Sequence, residues 1–297
     1  MIERVVVPVD FTTESDRALL VAPLLARRAG AHIELVTVAE PITRTRVEER
    51  LGELAGRTGE GTTWWVIESG GPREAALLTQ LHRDEKALWC VGSHARGAWS
   101  ELLFQSVSED LVRDAHLPVI LVGPHVVEAP AGQVLAVALD GSEQSEIIVA
   151  PAADLATALG MTPRLIQVAD EGAADLPSDA VETGYLARVA EQLPSLGHGV
   201  TDYDVLHGGH PARDIADYVS AQRDVGMVAL ATRGLAGSAR VLQGSTAFDL
   251  AHRASVPGAD PAPRLTAITS ECFVLPECFA PVRPGGKHSH GAKHSDE

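Results

Sequence analysis

Positive charge is in short supply in this chain. Its 24 Lys and Arg face 40 Asp and Glu, giving a formal net charge of −16 and a pI near 5.1. Nucleic acid is held by Lys and Arg that neutralise phosphates, so this balance argues against a polyanion partner. It fits a soluble protein kept apart by its own charge. Long apolar runs are missing too: no stretch reaches the roughly 18 residues that a membrane span needs. The first strand pattern begins at Ile2, directly after Met1, so no leader segment is expected. Cysteine is scarce, with only Cys90, Cys272 and Cys278, and these lack the paired framework of a small oxidised fold. The expectation is a cytoplasmic protein with no nucleic-acid or membrane partner.

What the chain does have is an internal duplication. Val5-Val6-Val7-Pro8-Val9-Asp10 returns as Val134-Leu135-Ala136-Val137-Ala138-Leu139-Asp140. Gly92-Ser93-His94-Ala95, nine residues, then Gln105-Ser106 returns as Ala231-Thr232-Arg233-Gly234, nine residues, then Gly244-Ser245. Asp10 and Asp140 are 130 apart, as are Val38 and Val168; Pro72 and Pro211, like Ser106 and Ser245, are 139 apart. The second copy therefore holds nine extra residues, in the Gly/Pro/Asp-rich stretch 170–181. So long a period means two domains and not a solenoid, whose repeats run about 20 to 50 residues. Domain one is expected over residues 1–123, a Pro/Gly linker over 124–132 and domain two over 133–257, leaving a tail at 258–297.

Within each copy, β-branched runs alternate with segments of helical periodicity. In the first, strands are expected at 2–9, 32–38, 62–67, 87–91 and 118–122, with helices at 18–28, 43–54, 72–81 and 106–115. The second repeats this order, with strands at 133–139, 164–168, 202–206 and 227–231 and helices at 145–159, 183–193, 212–222 and 246–253. The fold class is α/β: two repeats of a doubly wound five-stranded parallel sheet. The fifth strand of repeat two is doubtful, because Val256-Pro257 runs into Gly258-Ala259-Asp260-Pro261-Ala262-Pro263. Prolines cannot donate to a ladder, which excludes a central strand there. Residues 265–269 are a displaced substitute, and the rest of the tail reads as disordered.

Doubly wound sheets bind ligands beyond the carboxyl ends of their strands, where strand order reverses. Asp10 and Asp140 stand at such ends, each copy has a small-residue loop after its fourth strand, and Gln105-Ser106 or Gly244-Ser245 opens its last helix. Glycines let backbone N–H groups approach phosphate oxygens, and a helix N-terminus adds unsatisfied donors. A carboxylate facing them suits ribose hydroxyls or a base. Together these elements describe a nucleotide site that holds phosphate mainly by backbone.

These residues resemble the universal stress protein family, whose ATP-binding members carry Gly-x2-Gly-x9-Gly-(Ser/Thr) after the fourth strand and Asp after the first. The resemblance covers about residues 1–123 and 133–257 and implies the adenine nucleotide alpha hydrolase-like fold. It implies ATP as ligand, with Mg2+ as an optional companion. Asp140, followed by Gly141 and Ser142, would contact ribose or base, and the backbone of Val168 would read adenine. Ala231, Arg233 and Gly234 would line the ribose-phosphate side; Gly244, Ser245 and Thr246 would hold the phosphates. Repeat one offers the counterparts Asp10, Val38, Gly92, His94 and Ser106. Ala231 adds one methyl where the family has glycine, whereas Gln105 points a long side chain at the helix entrance. Repeat two is therefore the better nucleotide site.

Other signals carry less. His207-Gly208-Gly209-His210 reads as a turn, since its counterpart Glu68-Ser69-Gly70-Gly71 is a plain one. The tail's Cys272, Cys278, His288, His290 and His294 do not match a standard zinc spacing. No nucleophile elbow and no carboxylate pair opposite a glycine loop appears, which points to regulation and not dedicated catalysis. Weak ATP hydrolysis or autophosphorylation stays open. Two readings follow. One is a stress-response protein that binds ATP in repeat two and signals through its conformation or partners. The other is an interaction module with decayed sites that works by pairing sheets, offering the edge 117–122 to another chain. The two repeats would form a pseudo-dimer within the chain, with homodimerisation as a further option.

Overall fold

β-Branched and apolar runs become strands covered on both faces. A computed structural model of the chain describes residues 2–69, 77, 80, 86–92, 119–122, 126, 129, 131–169, 179–196, 201–231 and 272–274. Repeat one supplies β1 (Arg4–Pro8), β2 (His32–Ala39), β3 (Thr63–Glu68), β4 (Ala87–Gly92) and β5 (Val119–Val122). Repeat two supplies β6 (Val134–Leu139), β7 (Thr162–Ala169), β8 (Asp202–His207) and β9 (Val225–Leu230), and the tail supplies β10 (Cys272–Val274). The order across the sheet is β3-β2-β1-β4-β5-β10-β9-β6-β7-β8. Within each repeat all pairings are parallel, so β1 lies between β2 and β4, and β6 between β7 and β9.

Side chains alternate between two apolar cores. Val5, Val7, Leu35, Leu88, Leu135, Val137 and Leu165 face one side of the sheet, and Val6, Val36, Trp89, Ala136, Ile166 and Val228 face the other. Helices α1 (Thr13–Ala29), α2 (Arg44–Thr58), α4 (Val149–Ala158) and α5 (Asp179–Ala190) belong to the first side, and the single turn α3 (Glu143–Glu146) precedes α4. Helix α6 (Pro211–Ala221) covers the second, through Ala212, Ile215, Ala216 and Val219. Buried Ala18, Val21, Ala22 and Leu25 give α1 its apolar stripe at the spacing that a helix requires. It ends at Gly30, which takes the left-handed cap conformation at φ 66°.

Two expectations are corrected. The helix expected over 145–159 is split into α3 and α4 at Ile147 and Ile148. Pro151 accounts for the break: it has no N–H for the carbonyl of Ile147, and its ring crowds that group. The tail, expected to be disordered, contributes a strand. Residues 272–274 form β10, which pairs antiparallel with β5 (Phe273 opposite Leu121) and parallel with β9 (Phe273 opposite Val228). β10 stands beside β9, the place of a fifth strand, which was expected from 265–269, and it covers the β5 edge expected to be open. The physical reason is the short apolar run Cys272-Phe273-Val274-Leu275, ahead of Pro276, which can fill a gap with hydrogen-bonding groups on both sides. The helices expected at 106–115 and 246–253, and that at 72–81 apart from Leu77 and Gln80, lie outside the described residues, as do 256–271.

Candidate functional site

The first strand of each repeat ends in the same hydrogen-bonded turn. Asp10 Oδ1 accepts from the Thr12 backbone N–H at 3.0 Å and from the Thr12 hydroxyl at 2.5 Å. Asp140 Oδ1 accepts from the Ser142 N–H at 3.0 Å and from its hydroxyl at 2.5 Å. The next residues cap a helix. Thr12 Oγ1 accepts from the Ser15 N–H at 3.4 Å, and Ser142 Oγ from the Ser145 N–H at 3.1 Å. Buried Ser15 and Ser145 return their hydroxyl protons to the carbonyls of Thr12 and Ser142, at 3.0 and 2.9 Å. Ser145 Oγ also accepts from the Asp140 N–H at 3.2 Å. The carboxylates are thereby held in one orientation by short local contacts, as a preorganised acceptor requires.

Between the Asp and the hydroxyl residue the chain must turn left-handed. Gly141 does so at φ 81°, at no steric cost. Phe11 does so at φ 63°, and it is the sole non-glycine residue with positive φ among the described residues. Its ring is half-buried against the core, and the Arg50 guanidinium lies 4.0 Å from the ring centre. The repeated pattern Asp-x-(Thr/Ser)-x-x-Ser was a sequence signal for this whole arrangement; Ser15 and Ser145 were missed as its buried supports.

The remaining expected residues divide by position. Val38 ends near Asp10 on the neighbouring strand β2, and Gly92 closes β4 on the other side of β1. Val168 on β7 and Ala231 after β9 flank Asp140 in the same way. The carboxyl ends that the fold brings together are thus those expected. His94, Ser106, Arg233, Gly234, Gly244, Ser245 and Thr246 lie outside the described residues. The stretch His207-Gly208-Gly209-His210 is a turn into α6: the Gly208 N–H donates to the Ala169 carbonyl at 3.1 Å, and the His210 N–H to Asp214 Oδ2 at 2.9 Å. A Cβ at Gly208 would come within 2.1 Å of that carboxylate, so a larger residue there would displace the Asp214 side chain. Among the described residues no three His, Cys, Asp or Glu side chains are grouped as metal ligands would be, and no helix is long and apolar enough to cross a membrane.

Two doubly wound α/β units, each with an Asp-anchored turn at the end of its first strand, define a duplicated α/β protein. The model of the universal stress protein family matches residues 1–55 and 133–258, well over half of the sequence. The chain belongs to the universal stress protein family. It is 29% identical over 201 residues to the universal stress protein Rv2623 of Mycobacterium tuberculosis, covering 62% of this chain and 64% of that protein. It is 30% identical over 182 residues to the universal stress protein Mb2028c of Mycobacterium bovis, covering 59% and 61%. The matches thus span less than two thirds of these relatives' own length. Among solved structures, a universal stress protein from Archaeoglobus fulgidus superimposes with a TM-score of 0.63 at 17% identity, over 92% of this chain and 96% of that one.

Proposed function

We propose that this chain is a nucleotide-binding regulatory protein of the stress response that binds ATP mainly in repeat two. It works in the cytoplasm as an internal pseudo-dimer and carries no dedicated catalytic activity. The observation that carries the reading is the Asp140-Gly141-Ser142 turn, whose fixed carboxylate stands at the carboxyl end of β6 between Val168 and Ala231. The extent of the family match supports the choice of repeat. It runs unbroken through Gly244-Ser245-Thr246 in the second repeat but stops at residue 55 in the first, short of Gly92, His94 and Ser106. The proposed domains are residues 1–123 and 133–257, joined by 124–132, with Gly234, Gly244, Ser245 and Thr246 holding phosphate and Arg233 beside them. Such a site offers backbone donors to phosphate and an acceptor to ribose or base, and supplies no base for chemistry.

Calorimetric titration of the full-length chain with ATP tests this. One nucleotide per chain is expected, with binding lost in Gly244→Leu and kept in Gln105→Gly. Binding lost in repeat one variants and kept in Gly244→Leu would assign the site to the other repeat; no heat from folded protein would overturn the nucleotide reading.

A further inference from the structure

The Asp140 turn is fastened from outside its own helix. Ser145 and Glu146, which bond back to the turn, belong to α3, a single turn of four residues that ends where the chain breaks at Ile147 and Ile148. In repeat one the matching Ser15 and Asp16 lie in the first turn of α1, a continuous helix of 17 residues. A long helix packed along its apolar stripe fixes the orientation of its first turn. A detached turn inherits no such orientation, because a helix that short is not stable by itself.

The support comes from α5. Arg188 Nη2 donates to Glu146 Oε1 at 2.7 Å. The same guanidinium lies 5.2 Å from the centre of the Tyr185 ring, so the two α5 side chains brace each other. The Tyr185 hydroxyl is buried beside the Ser145 hydroxyl and the Glu146 carboxylate. From α3 the path to the site is short. The Glu146 N–H donates to the Ser142 carbonyl at 3.2 Å, and Ser145 Oγ accepts from the Asp140 N–H at 3.2 Å. Ser142 in turn gives its N–H and its hydroxyl to Asp140 Oδ1.

The sequence of repeat one does not allow the same brace. Glu146 and Arg188 correspond to Asp16 and Glu49, two like charges, and Tyr185 corresponds to Arg46. The brace therefore belongs to repeat two, where α5 begins within the stretch 170–181 that holds the nine extra residues.

We infer that Arg188 and Tyr185 are positioning residues of the repeat-two site, holding α3 through Glu146 and Ser145 so that the Asp140 carboxylate is fixed for its ligand. The inference rests on the nucleotide reading above. Arg188 is half exposed, and an ion pair in that setting adds little to stability. Its value lies in geometry, since a hydrogen bond weakens steeply once donor and acceptor leave their alignment.

Calorimetric titration of the full-length chain with ATP tests this. Arg188→Gln is expected to weaken binding about threefold and to leave the thermal midpoint at that of wild type. Arg188→Lys, which keeps a cation beside Glu146, should recover most of the loss, and Tyr185→Phe should weaken binding in the same direction. In an Asp140→Asn chain, Arg188→Gln should change nothing further, because residues that act through one carboxylate do not add. If Asp140→Asn binds too weakly to measure, a charge swap decides. Arg188→Glu should weaken binding, and Arg188→Glu with Glu146→Arg should restore it to within about twofold. Unchanged affinity in both Arg188→Gln and Tyr185→Phe overturns the inference and leaves nucleotide binding standing. So does an equal loss with and without the Asp140 carboxylate, a loss matched by a lowered midpoint, or a swap that fails to restore. No binding of ATP by folded wild type overturns both.

Discussion

Phe11 and Gly141 hold one backbone position with opposite economies. A left-handed non-glycine residue costs roughly 1–2 kcal/mol, which Gly141 avoids. Phe11 recovers that cost through packing: half-burial of its ring contributes about 1–1.5 kcal/mol, and the Arg50 contact adds roughly 0.5–1 kcal/mol. Glycine would also free the unfolded chain by about 0.5–1 kcal/mol. The terms favour phenylalanine, so Phe11→Gly should lower the urea-unfolding free energy by about 1 kcal/mol. A stabilised variant would show that strain dominates. The caps beneath the same turns give a second expectation: Thr12→Ala and Ser142→Ala should each cost about 1 kcal/mol in urea unfolding, and a loss within error in both would mean that the turns are held by Asp10 and Asp140 alone. The Asp-x-(Thr/Ser) pairing was legible in the sequence because it occurs twice at a spacing of 130. The left-handed Phe11 was not, because phenylalanine carries no local preference for that conformation and is held there by tertiary contacts.

At the scale of elements, the end of the linker packs backbone on backbone against β9 of repeat two. A Cβ at Gly132 would fall 2.4 Å from the Gly226 nitrogen, and one at Gly226 would fall 2.6 Å from the Gly132 carbonyl oxygen. Gly226 is the extra residue where the β6–β9 register shifts, and Arg28 Nη2 donates to the same Gly132 carbonyl at 3.1 Å. Neither neighbour is a side chain that can swing away, so Gly132→Ala should destabilise the fold by about 1–3 kcal/mol in thermal or urea unfolding; an unchanged midpoint would show that the strands separate freely here. A polar chain ties α6 to the outer strands of repeat two. Arg164 contacts Asp224 at 2.7 Å and Tyr218 at 3.3 Å, and the Tyr218 hydroxyl donates to Asp204 Oδ2 at 2.5 Å. Burial would lower the Arg164 pKa, but its bonds to Asp224 and Tyr218 raise it. Burial, and then the Asp204 carboxylate, push Tyr218 up from 10.0 to about 12. The folded state therefore keeps this proton where the unfolded chain releases it, so the contribution is whole below about pH 10 and is lost as pH rises toward about 12. Unfolding free energy should fall more steeply across that window in wild type than in Tyr218→Phe, and parallel profiles would remove Tyr218 from the account. Strand positions were readable from β-branched runs, whereas this chain joins residues up to 60 apart and leaves no local pattern.

At the scale of the whole molecule, β10 joins two sheets that the sequence described separately. The duplication and the winding of each repeat were legible, since both rest on periodicity. The replacement strand was not, because three residues in a Pro- and Gly-rich tail carry too little pattern to mark a partner, and its two neighbours come from different domains. β10 runs antiparallel to β5 and parallel to β9, so it supplies both sheets with hydrogen-bonding groups at once. Without it, β5 residues 120–122 and β9 residues 228–229 would present unpaired backbone at open edges, and open edges recruit other chains. A chain ending at Pro257 should accordingly self-associate in sedimentation velocity as concentration rises, while one ending at Leu275 should sediment like the full-length protein scaled for mass. The shared prefix makes the comparison direct, because the two chains differ only by the 18 residues that include β10. Identical behaviour of the two truncated chains would mean that the sheets hold together without it.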